Sequence, residues 1–200
     1  MLVAGGRYRT KDILTVVNIN NPTETTPLDF WPNDGFDDDN INVKQFVYRS
    51  NARLFKNKSL NKYLYVCAEG KYVELFNIVD NKITNRNAIC ELYPKYKARE
   101  DRLNYQILGN NNPNRGFSAS VSNKYIYLMP YNEYNDNKEG YPWYYKNIMD
   151  VFDWDGNFIK RYKLDVPCTV FFIDGENDQL YTITEDMNTE ESMLLRYNLN

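Results

Sequence analysis

An aromatic-rich stretch at residues 129–147 is the segment of this sequence best suited to hold a ligand. Its rings stand among Asn, Asp and Glu, so flat apolar surface would lie beside hydrogen-bonding groups, as a saccharide or peptide surface requires. The alternative is that the rings pack back on the neighbouring segment and order a long loop. The candidate ligand-binding residues are Tyr131, Tyr134, Tyr141, Trp143 and Tyr144.

Two acidic segments have some of the features of a calcium-binding loop. Asp34, Asp37, Asp38 and Asp39 could bind Ca²⁺ through carboxylate oxygens, but the alternating spacing of an EF-hand is missing, so we predict a solvated acidic loop. Residues 135–146 open like an EF-hand loop, yet the twelfth position holds Lys where Glu is required. The sequence therefore predicts no metal site and no cofactor.

The chain contains no His, which excludes a His-based catalytic triad and an imidazole metal site. Any general base would have to be a carboxylate. Asp153 and Asp155 resemble a paired-carboxylate site, but a hairpin turn accounts for both residues. We predict no catalytic residue, and an enzyme is the less favoured class.

The net charge and the hydropathy of the chain argue against two kinds of partner, a nucleic acid and a membrane. Lys and Arg number 24 against 27 Asp and Glu, and the net charge of −3 argues against a nucleic-acid partner. No apolar run approaches the roughly 20 residues of a transmembrane helix, so we predict no membrane span.

A Cys67–Cys90 disulfide remains open, but Cys67, Cys90 and Cys168 are expected to be buried free thiols.

Short segments rich in Tyr, Val, Ile and Phe, separated by Asn, Asp and Gly, predict an all-β fold. A four-residue motif at the end of a strand recurs four times. Its first position is apolar, its second is aromatic or Val, its third is Asn or Asp, and its fourth is apolar. The copies lie at 16–19, 75–78, 151–154 and 196–199, with Arg196 breaking the first position of the last one. Such repetition is typical of a modular architecture.

Further strands surround each motif in a constant order, which we label A to D with the motif on strand C. Strand A is predicted at 45–48, 117–121 and 169–173, strand B at 2–4, 63–66, 125–128 and 180–183, and strand D at 27–31, 88–92 and 158–162. The order BCD, ABCD, ABCD, ABC predicts a β-propeller of four-stranded antiparallel blades, with a β-sandwich as the alternative. About four blades of an incomplete ring are expected in one domain over 1–200, at roughly 1–32, 43–93, 116–164 and 168–199.

One long signature runs through KYIYL at 124–128, VFDWDGN at 151–157 and YKLD at 162–165, and continues with FID at 172–174 and NDQLY at 177–181. ELFNI at 74–78 fits the same pattern. The sequence thereby resembles the TolB-like six-bladed β-propellers abundant in Bacteroides-type bacteria, and looks like a member shortened at its N-terminus. The resemblance implies a bacterial propeller and no particular reaction.

These features favour a non-catalytic binding or scaffolding propeller that presents a loop-rich face to a protein or glycan partner. The alternative is a Ca²⁺-dependent propeller hydrolase or lyase that uses carboxylates at its central channel. Open blade edges predict self-association. The expected compartment is the cytoplasm if Met1 is the true start, and the periplasm or cell envelope if the chain is a shortened member of the family.

Overall fold

The computed structural model describes residues 2–4, 12–35, 41–49, 52–98, 105–107, 115–131, 144–186, 189 and 191–199. Within these residues the chain is nearly all β-structure, which confirms the predicted fold class. The chain divides into two compact units, Met1–Asn114 and Arg115–Asn200.

The first unit contains two antiparallel sheets of the blade type. The first blade has three strands, β1 (Leu2–Ala4), β2 (Leu14–Asn18) and β3 (Asn21–Leu28). Helix α1 (Ile41–Arg49) follows, and the second blade then has four strands in sequence order, β4 (Arg53–Asn57), β5 (Lys62–Val66), β6 (Lys71–Val79) and β7 (Lys82–Leu92). A small hairpin, β8 (Tyr96–Ala98) with β9 (Tyr105–Ile107), completes the described part of this unit.

The second unit repeats the pattern. The third blade has four strands, β10 (Phe117–Val121), β11 (Tyr125–Pro130), β12 (Lys146–Asp153) and β13 (Phe158–Cys168). The fourth blade has three, β14 (Val170–Asp174), β15 (Gln179–Glu185) and β16 (Ser192–Asn198). The predicted order of three, four, four and three strands is therefore confirmed.

Asn and Asp side chains form the tight turns between strands. Asp80 and Asn81 join β6 to β7 with φ of 48° and 59°, the left-handed conformation at both central positions that defines a type I′ hairpin. At the last residue of β12, Asp153 accepts hydrogen bonds from the backbone N–H of Asp155 and Asn157 at 2.9 and 2.8 Å. The pKa of the Asp153 carboxyl is lowered by hydrogen bonds from the Asn157 side-chain amide and from these backbone groups. Asp153 and Asp155 thus belong to a hairpin turn, as predicted, and this turn accounts for their resemblance to a paired-carboxylate site.

Each unit has a buried core of its own, which is rich in aromatic rings in the first unit and contains Met and Cys side chains in the second. In the first, the Phe30 ring lies 4.7 Å from that of Tyr65 and 5.2 Å from that of Phe76, and all three are buried. Trp154 of the second unit anchors its own turn, because its indole N–H donates to the Ser122 carbonyl at 3.0 Å. The third and fourth blades share one buried cluster, which includes Met129, Met149, Val151, Phe171, Ile173 and Leu180.

The predicted strand at 45–48 is wrong, because these residues lie within α1. Val43 and Val47, four residues apart, bury one face of the helix, while Phe46 stays exposed. The first strand of the second blade is β4. The strand D predicted at 27–31 is also misplaced, since β3 begins at Asn21 and ends at Leu28. β13 extends beyond the strand D predicted at 158–162, since it ends at Cys168.

Candidate functional site

The predicted aromatic loop joins β11 to β12, and the structure describes both of its ends. Tyr131 follows β11 directly, and Tyr144 lies two residues before β12. Tyr134, Tyr141 and Trp143 fall outside the described residues. The structure thus places two of the five candidates, and both are near the same side chain, that of Lys146.

Lys146 connects the two ends of this loop. Its ammonium Nζ donates to the Tyr144 carbonyl at 3.0 Å and to the Thr169 carbonyl at 2.6 Å, and it lies 4.6 Å from the centroid of the Tyr131 ring. Only 2% of the residue is exposed, and a buried cation of this kind is stable when carbonyl oxygens and an aromatic face surround it. Lys146 therefore fixes Tyr131 and the Tyr144 backbone in one arrangement.

Tyr144 is an exposed ring at the end of this loop. The residue is 38% exposed, and its ring lies against that of Tyr145, with ring centroids 5.2 Å apart and planes 33° apart. Tyr145 is buried, and its hydroxyl donates to Glu185 of the fourth blade at 3.4 Å. Tyr145 thus packs back on the neighbouring blade, as the alternative interpretation of the loop expected, and supports a Tyr144 ring that faces solvent.

The acidic segment before α1 has a structural role that the sequence pattern does not indicate. The Asp34 side chain is buried, forms an ion pair with Lys44 at 2.7 Å, and accepts hydrogen bonds from the Tyr48 and Tyr96 hydroxyls at 2.9 and 2.8 Å. Burial and the Asp34 charge both raise the pKa of the two tyrosines. The solvated loop predicted here is wrong for Asp34, and Asp37, Asp38 and Asp39 lie outside the described residues.

A carboxylate–arginine pair recurs in the two four-stranded blades, and the sequence reasoning missed it. Glu74 of β6 binds Arg86 of β7 through two contacts of 2.5 and 3.0 Å, and also accepts a hydrogen bond from the Tyr72 hydroxyl. Asp150 of β12 binds Arg161 of β13 in the same two-contact way, at 2.6 and 2.8 Å. Both carboxylates lie immediately before the C-strand motif, and that shared position was the available signal.

The strand order, the recurring hairpin turn and the repeated ion pair are all properties of a modular propeller. A family model described as TolB-like 6-blade propeller-like matches residues 37–176, which is most of the chain. The chain belongs to this family. The match confirms the suspected resemblance, and no curated protein matches the sequence.

Among the residues that the structure describes, no group of three or more His, Cys, Asp or Glu side chains is placed to hold a metal ion. In the same part of the chain, α1 is neither long nor apolar enough to cross a membrane. The carboxylates of Asp34, Glu74 and Asp150 already engage cations within the fold.

The three thiols of the propeller are free and differ in burial. Burial raises the pKa of Cys67 to about 12 and that of Cys168 to about 11, and it also raises the pKa of the half-buried Cys90. Because the thiolate is the reactive form, we expect Cys90 to react first with a disulfide reagent at pH about 8. Cys67 and Cys168 should react only after denaturation. Equal reaction of all three thiols in the native protein would contradict this assignment.

Proposed function

We propose that this TolB-like propeller is a non-catalytic binding module whose Tyr144 loop contacts a glycan or protein partner. The observation that carries the proposal is the exposed Tyr144 ring, which is supported from behind by the buried Tyr145. A ring held in place by packing loses little conformational entropy when a ligand covers it. The family match supports a binding or scaffold propeller and no specific reaction.

A glycan is the partner that this geometry favours. Sugar rings present flat faces of C–H groups, which pack on tyrosine rings, and their hydroxyls need neighbouring hydrogen-bonding groups. Tyr131 and Tyr144 supply rings at the two ends of the loop, and Lys146 joins these ends because it contacts the Tyr131 ring and the Tyr144 backbone carbonyl. The amide and carboxylate side chains of residues 132–139 are the predicted polar partners.

A protein partner or a second copy of the chain is favoured by a different observation. Val170, Ile183 and Leu194 are cross-strand neighbours on one face of the fourth blade, and Phe172 extends this apolar face along β14. Phe172 is 61% exposed and Leu194 is 69% exposed. Exposed apolar surface of this kind is typical of a contact face. It supports a scaffolding role and the self-association predicted from open blade edges.

The binding proposal is tested by screening the intact chain on an oligosaccharide array and measuring the affinity for the best binder by calorimetry. We expect Tyr144→Ala to weaken this affinity about tenfold, which corresponds to about 1.4 kcal/mol, because the stacking surface is removed. Tyr131→Ala should also weaken the affinity for this oligosaccharide. Tyr134→Ala and Trp143→Ala test the predicted loop residues that lie outside the described structure.

Phe158→Ala is the matched control, because Phe158 is an exposed ring on β13 of the same blade, outside the aromatic loop. Its affinity should equal that of the parent protein. If Tyr144→Ala binds as tightly as the parent, the aromatic loop is not the contact surface. An array that shows no binding would favour the protein partner on the fourth blade.

A further inference from the structure

The last strand of the fourth blade, β16, has an open edge. Within the described part of the chain it pairs with β15 alone, whereas the equivalent strands β6 and β12 each pair with a neighbour on both sides. All seven residues of β16, Ser192–Asn198, pair with β15 without a register shift. The outer side of β16 is therefore an uninterrupted row of backbone donors and acceptors.

Two hydrogen bonds show which backbone groups point to this edge. The Asp186 N–H donates to the Glu191 carbonyl at 2.9 Å. At the other end of the hairpin, the Leu199 N–H donates to the Asp178 carbonyl, also at 2.9 Å. Because hydrogen-bonded pairs alternate along an antiparallel ladder, the odd-numbered residues of β16 bond to β15, and the even-numbered residues direct their N–H and C=O groups outward.

The outer strands of the other three blades carry features that hinder the addition of a strand, and β16 does not. Proline, lysine and bulges at a sheet edge all have this effect. Each of β3, β7 and β13 has a register shift against its neighbour, and together they contain Pro22, Pro27, Lys82, Lys160, Lys163 and Pro167. β16 has no Pro, Lys or register shift, and its Met193 and Leu194 are exposed apolar side chains.

Leu195 indicates the chemistry of the strand that would fit this edge. It lies one residue before the C-strand motif, at the position that Glu74 and Asp150 occupy in the second and third blades. Both carboxylates bind an arginine of the next strand. An apolar side chain would pack against Leu195, whereas an arginine would have no carboxylate there. The matching strand is therefore apolar at this point.

We propose that β16 pairs antiparallel with β16 of a second copy of the chain, with Leu195 on the two-fold axis. In this register the whole of β16 overlaps, and the outward backbone groups of the even-numbered residues bond to one another. Leu195 faces Leu195 of the second copy, and Met193 faces Tyr197. Leu194 faces Arg196 and packs along its aliphatic stem, so no like charges are opposed.

The product is a closed dimer in which two three-stranded blades form one six-stranded sheet. The apolar face that contains Val170, Ile183 and Leu194 continues across the axis into the same face of the second copy. This inference names the partner for the scaffolding role proposed above and rests on that role. It does not depend on glycan binding at the aromatic loop.

Sedimentation velocity of the intact chain from about 1 to about 300 μM tests the association. We expect a monomer–dimer equilibrium with a dissociation constant of about 20 μM, because one strand pair buries less surface than a standard interface. Tyr144→Ala should dimerise as the parent does, which separates this test from that of glycan binding. A chain that stays monomeric up to about 300 μM, or that forms open-ended oligomers, would overturn the proposal.

Charged substitutions at Leu195 test the register. Leu195→Arg and Leu195→Asp should each weaken dimerisation at least about tenfold, because like charges would face each other on the axis. An equal mixture of the two variants should dimerise at least about tenfold more tightly than either alone, since it recreates the carboxylate–arginine pair of the other blades. Parent-like dimerisation of the separate variants, or a mixture no tighter than they are, would contradict this register.

Leu194 variants test the backbone pairing. Leu194→Pro removes an N–H that points to the open edge and leaves the bonds to β15 in place, so it should weaken dimerisation at least about tenfold. Leu194→Val keeps both the N–H and an apolar side chain, and is the matched control. Circular dichroism of each variant checks the fold. Equal dimerisation of the two folded Leu194 variants would contradict pairing through β16.

Discussion

Replacing Asp34 by Ala is expected to lower the free energy of unfolding of the first unit by about 3–5 kcal/mol, as measured by urea denaturation. The Asp34 side chain is only 2% exposed and is the common partner of Lys44, Tyr48 and Tyr96. Removing it leaves a poorly exposed ammonium and two hydroxyl donors without their acceptor. Such groups cost far more than the lost contacts alone, because they have already lost most of their water.

Asp29→Ala provides the control for Asp34→Ala. Asp29 lies five residues earlier and is exposed, so its replacement should change the free energy of unfolding by less than about 0.5 kcal/mol. A second variant, Lys44→Met with Asp34→Asn, removes both charges and should recover part of the lost stability. An Asp34→Ala protein as stable as the Asp29→Ala protein would show that the cluster around Asp34 does not hold α1 in place.

The second large effect is expected at the repeated ion pair. Glu74→Ala should destabilise the protein by about 3 kcal/mol, whereas Asp150→Ala should cost about 1 kcal/mol. Each pair is held by two contacts, but the Glu74 side chain is 3% exposed and that of Asp150 is 13% exposed. Tyr72 also donates to Glu74, and the partner Arg86 lies over the Phe30 ring at 5.2 Å. Glu74 therefore supports more of the surrounding structure.

Each variant of the ion pair serves as the control for the other, because the two carboxylates occupy the same position before the C-strand motif. Urea denaturation of the Glu74→Ala and Asp150→Ala proteins, monitored by tryptophan fluorescence and circular dichroism, gives the two changes in the free energy of unfolding. We expect the larger loss for Glu74→Ala. Equal losses, or a larger loss for Asp150→Ala, would mean that burial does not determine the contribution of this pair.

The repeated strands were predictable from the sequence because their signal is local. The motif that ends strand C and the Asp and Asn turns that follow it depend on residues within a few positions of one another. This is why the ends of β6 and β12 lie where the pattern predicted them. The same reasoning failed at 45–48, where β-branched and aromatic residues belong to a helix. Burial of Val43 and Val47 against the rest of the unit decides that helix, and this information is not local.

The buried polar groups were the least predictable part of the structure. Asp34 stands in an acidic run typical of solvent, and only the folded chain brings Tyr96, 62 residues away, to its carboxylate. The partners of Glu74 and Asp150 come from the next strand, so they could have been found by comparing equivalent positions in the blades. The rings of the candidate loop were predictable as a set. The role of Lys146 in holding the two ends of that loop depends on carbonyls from two separate segments.

The binding claim is tested most directly by an NMR titration of the intact chain, with isotope-labelled tyrosine rings, against the best-binding oligosaccharide. Single Tyr→Phe variants assign the signals. We expect the Tyr144 and Tyr131 signals to change as the sugar saturates the protein, while those of Tyr181 and Tyr197 on the fourth blade do not. Changes at Tyr181 with an unaltered Tyr144 signal would contradict a glycan site at the aromatic loop.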